Sequence, residues 1–125
     1  MNVKTDTKEK FTVITPEEPV LSANMTAELT DLLSAYLQKD ISHVIFNMEQ
    51  VQRVDTVMGE SVANIQQQFY ENNRSFVVCC MQPSVEESLD EMDLLEVMNV
   101  TPTQSEAWDI VQMEEIEREL MDGDG

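Results

Sequence analysis

The sequence predicts a single α/β domain in which about four helices pack on a mixed sheet of four to five strands. Short, almost wholly apolar segments alternate with stretches of helical periodicity, and this alternation favours a largely parallel or mixed sheet covered by helices. The 125 residues suffice for one domain with a substantial core, and the hydrophobic fraction of 42% is ordinary for a globular protein. We find no internal repeat, low-complexity linker or second domain.

The first third of the chain predicts two strands and a helix after a flexible arm. Residues 1–10 are polar and predict the arm, whereas alternating apolar and polar residues predict a strand at 11–15. The prolines of "PEEP" at 16–19 predict a turn, because proline cannot donate to a strand ladder. A short second strand follows at 20–23, and apolar residues at helical spacing predict a helix over 25–38.

The central third predicts a buried strand, a connection and a second helix. The segment "HVIFNM" at 43–48 is almost entirely apolar in its middle, which is typical of a strand covered on both faces. From Met58 to Phe69, apolar residues at spacings of four, three and four predict a helix over 56–70. The asparagines of "ENNR" at 71–74 end this helix, because asparagine tolerates left-handed backbone conformations.

The last third predicts a strand, a helix, a short edge strand and a terminal helix. The segment "SFVVCCM" at 75–81 is apolar, and Pro83 suits the first turn of a helix. The segment "LLEVMNV" at 94–100 predicts the edge strand. Thr103 and Glu106 form a capping box that begins the terminal helix. The inward face of that helix is expected to comprise Ala107, Trp108 and Val111.

The terminal helix is expected to continue beyond the domain. We therefore divide the chain into a flexible arm (1–10), a domain (11–112) and an acidic helical extension (113–125) that "DGDG" ends. Met113 and Met121 lie on the extension. Core or lid packing is the favoured role for these flexible apolar side chains, and contact with a groove on another protein is the alternative.

Charge and motifs exclude several classes of function. The formal net charge is −18, and one base stands against fourteen acids from residue 83 onward, so the surface repels nucleic acid and anionic membranes. The sequence has no glycine-rich phosphate loop, and its single histidine, His43, begins a predicted strand. The two adjacent cysteines lack metal-ligand spacing. We expect a non-enzymatic protein with no metal and no cofactor, which binds a protein partner.

The location expected from the sequence is the cytoplasm. The polar N-terminal residues lead into no apolar signal core. No apolar run approaches the ~20 residues that a membrane-spanning helix needs, so membrane insertion is not expected.

An acid and a hydroxyl, Asp55 and Thr56, stand where the central connection meets the predicted second helix. Plain capping is one interpretation, because either side chain can accept hydrogen bonds from the unpaired N–H groups of a helix N-terminus. A switch is the other. A phosphate on Thr56 would lie where helix N–H groups point and would add a charge of about −1.5 to −2.

Two segments carry a recognisable pattern. The first, "KDISHVIFNMEQVQRVDT", has a charged turn, a buried strand ending in an Asn–Met pair, and an Asp–Thr pair at a helix start. The second, "SFVVCCMQPSVEESLDEMDLLEV", has the long strand, the P-x-V-x-x-x-L helix and the leucine that follows it. These segments and the order of elements resemble the STAS domain family of bacterial anti-sigma factor antagonists. The resemblance covers roughly residues 11–111. "DTVMG" departs from the family pattern, because Gly59 comes one place late.

The resemblance implies a fold, a modification site and a partner surface. It implies that Thr56 is the phosphoacceptor of a partner-switching system, in which the unmodified form binds an anti-sigma factor of the serine-kinase type and a phosphatase restores binding. The partner-binding surface implied by the resemblance comprises Ser22, Asn24, Asp55, Thr56, Val57, Met58, Gly59 and Glu60.

Two other roles within the family stay open at this point. One is a subunit that binds the ATPase of a bacterial ABC lipid-transport complex, where the threonine would be a contact residue. The other is a scaffold in a sensory assembly. Homodimerisation is also open.

Overall fold

The fold, described for residues 1–123 by a computed structural model, is built on a five-stranded sheet. The elements in chain order are β1 (Val3–Thr7), β2 (Phe11–Pro16), β3 (Val20–Leu21), α1 (Thr26–Ser34), β4 (His43–Asn47), β5 (Arg53–Val54), α2 (Thr56–Glu71), β6 (Phe76–Cys79), α3 (Pro83–Glu91), β7 (Val100–Thr101) and α4 (Gln104–Gly123). Short 3₁₀ turns occur at Ala23–Met25, Ala35–Gln38 and Leu95–Val97.

The main sheet is mixed, as predicted. Its strand order is β1-β2-β4-β6-β7, with β1 antiparallel to β2 and the other neighbours parallel. Strands β3 and β5 form a separate parallel pair. The predicted class, an α/β domain with a mixed sheet and four helices, is confirmed.

Alternating side chains give the sheet two apolar faces. On β4, Val44 and Phe46 join the larger core under α1, α2 and α3, whereas Ile45 faces α4. Strand β6 alternates in the same way, with Phe76 and Val78 on one face and Val77 and Cys79 on the other. The prediction that the apolar strands are covered on both faces is therefore confirmed for β4 and β6.

The first ten residues differ from the predicted flexible arm. Val3–Thr7 form β1, which pairs with β2 in a register from Val3 opposite Pro16 to Thr7 opposite Thr12. All but Val3 are exposed. An edge strand is held by backbone hydrogen bonds, so its polar side chains carry no hydrophobic pattern that would predict it.

The predicted edge strand at 94–100 is only partly correct. Leu95–Val97 form a 3₁₀ turn, and only the two-residue strand β7, Val100–Thr101, pairs with the sheet. The left-handed backbone of Asp93, with φ of 59°, turns the chain out of α3. The 3₁₀ turn that follows takes up Leu95–Val97, so the strand is short.

Helix α2 follows the predicted amphipathic pattern. Met58, Val62, Ile65 and Phe69 are buried against the core. The helix ends as predicted at the asparagines, since Asn73 adopts a left-handed conformation with φ of 59°.

Helix α4 begins at the predicted cap and continues past the predicted domain limit. The Thr103 hydroxyl accepts a hydrogen bond from the Glu106 N–H at 3.1 Å. Ala107 and Val111 are buried, and Trp108 stacks on Phe11 with ring centroids 4.5 Å apart. The boundary proposed between 112 and 113 falls inside this helix.

The extension differs from its predicted packing. Met113 and Met121, expected in the core, are 57% and 77% exposed. The helix reaches Gly123, so the last two residues of the predicted "DGDG" stop lie outside the described residues. The division into arm, domain and extension remains a prediction.

Candidate functional site

The N-terminus of α2 is held by the small β3–β5 pair. Val20 pairs with Arg53 and Leu21 with Val54. The Asp55 N–H then donates to the Leu21 carbonyl at 3.0 Å. This pairing places the turn after β3, residues 22–25, beside the first turn of α2.

Asp55 ties the two segments together through its side chain. The carboxylate Oδ2 accepts a hydrogen bond from the Ala23 N–H at 2.9 Å. Asp55 occupies the N-cap position of α2, with φ of −70° and ψ of 154°, but no side chain caps this helix. The capping interpretation of Asp55 and Thr56 is therefore wrong for α2, because the carboxylate is used by the neighbouring turn.

The turn after β3 is closed by short polar contacts of its own. The Ser22 hydroxyl hydrogen-bonds Asn24 Oδ1, and the Thr26 hydroxyl donates to the Ala23 carbonyl at 2.6 Å. Together with the bond from Ala23 to Asp55, these contacts hold the turn that carries Asn24 beside the first turn of α2, where Thr56 lies.

Thr56 is the first residue of α2 and is exposed. Its hydroxyl makes no hydrogen bond to any of residues 1–123. The first N–H of α2 with a helical acceptor is that of Gly59, which donates to the Asp55 carbonyl at 2.9 Å. The preceding N–H groups of the first turn are thus available to a ligand or modification, as at helix N-termini in general.

The structure brings six of the eight predicted partner-binding residues to one surface. Asn24, Thr56, Val57 and Glu60 are exposed, with Val57 52% exposed, and Ser22 and Asp55 are half-buried. We refer to these six residues as the α2 N-terminal surface.

Met58 and Gly59 do not join this surface. Met58 is completely buried in the core. A Cβ added to Gly59 would lie 3.1 Å from side-chain atoms of both Leu89 and Leu94, so a larger residue fits only if these leucines shift by a few tenths of an ångström. The helical spacing that assigns Met58 to the inward stripe is the sequence signal against its place on the surface. Gly59 therefore lies at a close contact between α2 and the side chains of Leu89 and Leu94.

Sequence reasoning missed two residues beside this surface. The Ala23 backbone is the partner of Asp55 across 32 residues of sequence. The Arg53 side chain is 70% exposed, and its Nε lies 4.0 Å from Asp55 Oδ1. An isolated alanine gives no signal for a backbone contact, but Arg53 stands two residues before Asp55 in a predicted connection and is the only base there.

The connection before β5 is braced from the α3 side. The Ser84 hydroxyl donates to the Gln52 carbonyl at 3.0 Å, and the Gln82 amide donates to the Glu49 carbonyl at 3.0 Å. The Gln52 N–H in turn donates to the Pro19 carbonyl at 2.7 Å. The exposed hydroxyl of Thr56 therefore stands on a rigid support, which suits a group that is recognised by another protein.

The family of the chain follows from this arrangement together with the sequence. The family model described as STAS domain matches residues 2–107. The chain belongs to the STAS domain family. The match includes β1, which the resemblance in sequence had left outside. No curated protein matches the sequence significantly.

Solved structures share the fold of this STAS domain at low sequence identity. An anti-sigma-factor antagonist (STAS) domain protein from Planctomyces limnophilus is 19% identical, with a TM-score of 0.75, over 88% of this chain and 97% of that one. RsbS from Moorella thermoacetica, carrying a serine-to-glutamate substitution, is 18% identical, with a TM-score of 0.74, over 94% and 99%. The anti-sigma factor antagonist SpoIIAA in its unphosphorylated form is 17% identical, with a TM-score of 0.70, over 89% and 96%.

Two further properties of this STAS domain bear on its chemistry. Within residues 1–123, no helix is both long and apolar enough to cross a membrane. Across the same residues, no three or more histidine, cysteine, aspartate or glutamate side chains are grouped as metal ligands. The α2 N-terminal surface contains an exposed hydroxyl, a carboxylate bonded to Ala23, and N–H groups at the start of α2 that have no helical acceptor.

Proposed function

We propose that this STAS domain is a non-enzymatic regulatory protein controlled by reversible phosphorylation of Thr56. The unmodified form binds a protein partner of the anti-sigma, serine-kinase type through the α2 N-terminal surface, and a phosphatase reverses the modification in the cytoplasm. The observation that carries the proposal is the Thr56 hydroxyl, which is exposed and unpaired at the first position of a rigidly held helix.

A phosphate on Thr56 would change the surface far more than the fold. It would add a charge of about −1.5 to −2 and would lie near the free N–H groups of the first turn. Because Asp55 is already bonded to Ala23, the phosphate would not displace a cap of α2. The added charge would oppose a docked partner through repulsion and through the cost of removing water from the phosphate.

Two of the structural neighbours support this proposal by analogy. The SpoIIAA structure is that of an unphosphorylated form, and the RsbS structure carries glutamate in place of a serine. Both proteins share the fold of this chain over nearly its whole length. The analogy supports the class of regulation, and Thr56 is its candidate residue here.

Mass spectrometry of the protein purified from its native host tests the proposal first. Trypsin cleaves after arginine, so the peptide of residues 54–74 carries Thr56 and also Ser61 and Tyr70. The Ser61 hydroxyl is engaged with the Val57 carbonyl at 2.9 Å, and that of Tyr70 is bonded to Glu114. We expect phosphate on Thr56. Phosphate only on Ser61 or Tyr70 contradicts the proposal.

Substitutions then separate charge from stability. Thr56→Glu is expected to weaken capture of the partner from host extract, whereas Thr56→Ala should preserve it and block modification. Because the hydroxyl makes no intramolecular hydrogen bond, Thr56→Ala should change the free energy of unfolding by no more than about 0.5 kcal/mol. Ser61→Ala is the matched control in the same helix.

Two outcomes would replace the switch with another role. If no phosphate is found under several growth conditions and Thr56→Glu binds as wild type, the charge switch is wrong. The STAS domain would then be a constitutive subunit, as in the ATPase-binding and scaffold roles. Neighbouring genes for a kinase and phosphatase, or for an ABC ATPase and permease, distinguish these systems.

A further inference from the structure

The second half of α4, from Met113 onward, turns polar side chains toward the domain and apolar side chains toward solvent. Its polar side chains Glu114 and Arg118 turn toward the domain and are only 22% and 21% exposed. Its apolar side chains turn toward solvent, with exposed fractions of 57% for Met113, 56% for Ile116 and 67% for Leu120. A helix at the surface of a single domain normally does the opposite.

A polar network fixes which side of this segment faces the domain. The Tyr70 hydroxyl bonds the Glu114 carboxylate at 2.7 Å, and the Asn99 amide donates to the Tyr70 oxygen at 2.7 Å. The Arg118 Nη2 donates to the Ser75 hydroxyl at 2.9 Å. Burial, and then the bond to Glu114, raise the pKa of Tyr70 above its ordinary value, so the phenol is the proton donor at neutral pH. Rotating the helix to bury its apolar side would break the bonds that Glu114 and Arg118 make to Tyr70 and Ser75.

The exposed apolar side chains form one continuous stripe. Met113, Ile116 and Leu120 follow one another at spacings of three and four, so they lie along one side of the helix, and Met121 adjoins them with 77% exposure. We call these four residues the α4 stripe. Contiguous exposed apolar residues of this kind mark interaction sites more often than chance exposure does.

A cleft adjoins the α4 stripe between the β1–β2 turn and α4. Its volume is about 360 Å³, and the stacked rings of Phe11 and Trp108 line it together with Ile116. Glu115 and Glu119 stand on the α4 side, and Lys10 on the turn side lies 4.0 Å from Glu115. The cleft provides a pocket for a large apolar side chain of whatever covers the stripe.

The charges around the α4 stripe determine its occupant. Residues 113–121 contain four glutamates and one arginine, and that arginine, Arg118, is engaged with Ser75. Glu117 and Glu119 are exposed beside the stripe. A second copy of this chain, with its own net charge of −18, would bring acidic residues against these. We propose that the α4 stripe is a docking site for a basic amphipathic helix of a partner protein.

This inference is independent of the switch at Thr56. Helix α4 starts at the end of β4, where the Asn47 amide donates to the Gln104 side chain at 3.2 Å, and reaches the start of β4, where Glu115 lies 3.5 Å from His43. The stripe is therefore on the α4 face and toward the other end of the sheet from the first turn of α2.

Three synthetic peptides test the charge and the stripe together. Each has about 18 residues, or five helical turns, with leucines along one side. The other positions are mainly lysine in the first peptide, glutamine in the second and glutamate in the third. Binding to the full chain is measured by fluorescence anisotropy. We expect the lysine peptide to bind most tightly, then the glutamine and then the glutamate peptide, and added salt to narrow the differences.

The variant Ile116→Ser/Leu120→Ser should bind the lysine peptide with an affinity at least about tenfold lower, because two apolar contacts are lost. Val97→Ser is the matched control, since Val97 is 59% exposed and is not part of the α4 stripe. Because all three substituted side chains are exposed, the variants are expected to fold. Thr56→Glu should bind the lysine peptide as wild type does, which keeps this test separate from that of the switch.

Three results would overturn the inference. The first is that the three peptides bind equally. The second is that the double variant binds the lysine peptide as tightly as wild type does. The third is that the protein sediments as a dimer and that the double variant sediments as a monomer. The last result would assign the stripe to a second copy of the chain.

Discussion

Helix α2 presents its apolar side chains to the sheet, whereas α4 from Met113 onward presents them to solvent. Both helices start near the carboxyl ends of the parallel strands and run toward their amino ends, on opposite faces of the sheet. Both also have apolar residues at helical spacing. The periodicity of a helix therefore predicts that it has two sides, but not which side meets the domain.

The surroundings of each helix decide this difference. Helix α2 lies over the apolar side chains of β4 and β6 along its length, including Phe46, Phe76 and Val78. Helix α4 lies over Ile45 and Val77 in its first half only. Its second half passes His43 and Ser75, where the strands begin, so polar partners select Glu114 and Arg118 as the inward side chains.

The largest change in stability is expected from a comparison of two methionines, one on each helix. Met58→Ala, on the inner side of α2, should lower the free energy of unfolding by about 2–5 kcal/mol, because it leaves a cavity in a fully buried site. Met113→Ala, on the outer side of α4, should change it by no more than about 0.5 kcal/mol. Urea unfolding of both variants measures the two values.

Equal losses of unfolding free energy for Met58→Ala and Met113→Ala would contradict the exposed position of Met113. A large loss at Met113 would mean that the outer side of α4 is covered in solution. Repeating the measurement at several protein concentrations would then show whether a second copy of the chain provides the cover.

The same contrast explains what the sequence could predict. Apart from β1 and β5, the order of strands and helices, the buried side of α2 and the Thr103 cap of α4 all follow from local spacing or local chemistry, and the structure contains them. The two-residue strand β5 lies in a segment predicted as a connection. Strand β1 was missed because its side chains are polar and its pairing is made by the backbone.

The candidate site was predictable in position but not in its contacts. The Asp–Thr pair marks the start of α2, and Thr56 is exposed there as a modification site requires. The use of the Asp55 carboxylate by Ala23 depends on a tertiary contact that no local pattern contains. The outward direction of Met113 likewise depends on Tyr70 and Ser75, which are distant in sequence.

A second, smaller effect tests the inward polar side of α4. Glu114→Ala should lower the free energy of unfolding by about 1–2 kcal/mol, because the half-buried Tyr70 hydroxyl loses its acceptor. Glu117→Ala, three residues on and exposed, should change it by no more than about 0.5 kcal/mol. Thermal or urea unfolding at neutral pH compares them.

Tyr70→Phe with Glu114→Ala completes a double-mutant cycle. If the pair is the contact that orients α4, the two substitutions should be clearly non-additive. Additive losses would indicate that Glu114 acts elsewhere, and the account of why α4 faces outward would fail.

The smallest expected effect is a change in how stability depends on pH, at the point where α4 meets the start of β4. His43 Nδ1 accepts a hydrogen bond from the Ser75 N–H at 3.0 Å, which requires that this nitrogen carry no proton. Burial lowers the pKa of His43 below its ordinary value of 6.5, while the Glu115 carboxylate, 3.5 Å from Nε2, opposes part of that shift. The nearby charges of Arg118 and Arg74 also lower this pKa, and that of Glu114 opposes them.

The sign of the effect follows from proton binding. When the folded-state pKa of a histidine is depressed, the unfolded chain binds more protons than the folded chain as pH falls below 6.5. The contribution of His43 is thus present above pH 6.5 and is lost as the pH falls through its folded-state pKa. His43→Asn keeps an acceptor for the Ser75 N–H but does not titrate. Urea unfolding of both proteins across this interval should show a shallower loss of stability for His43→Asn. Parallel curves would mean that His43 has the same pKa in both states, because the attraction of Glu115 would then offset the effect of burial.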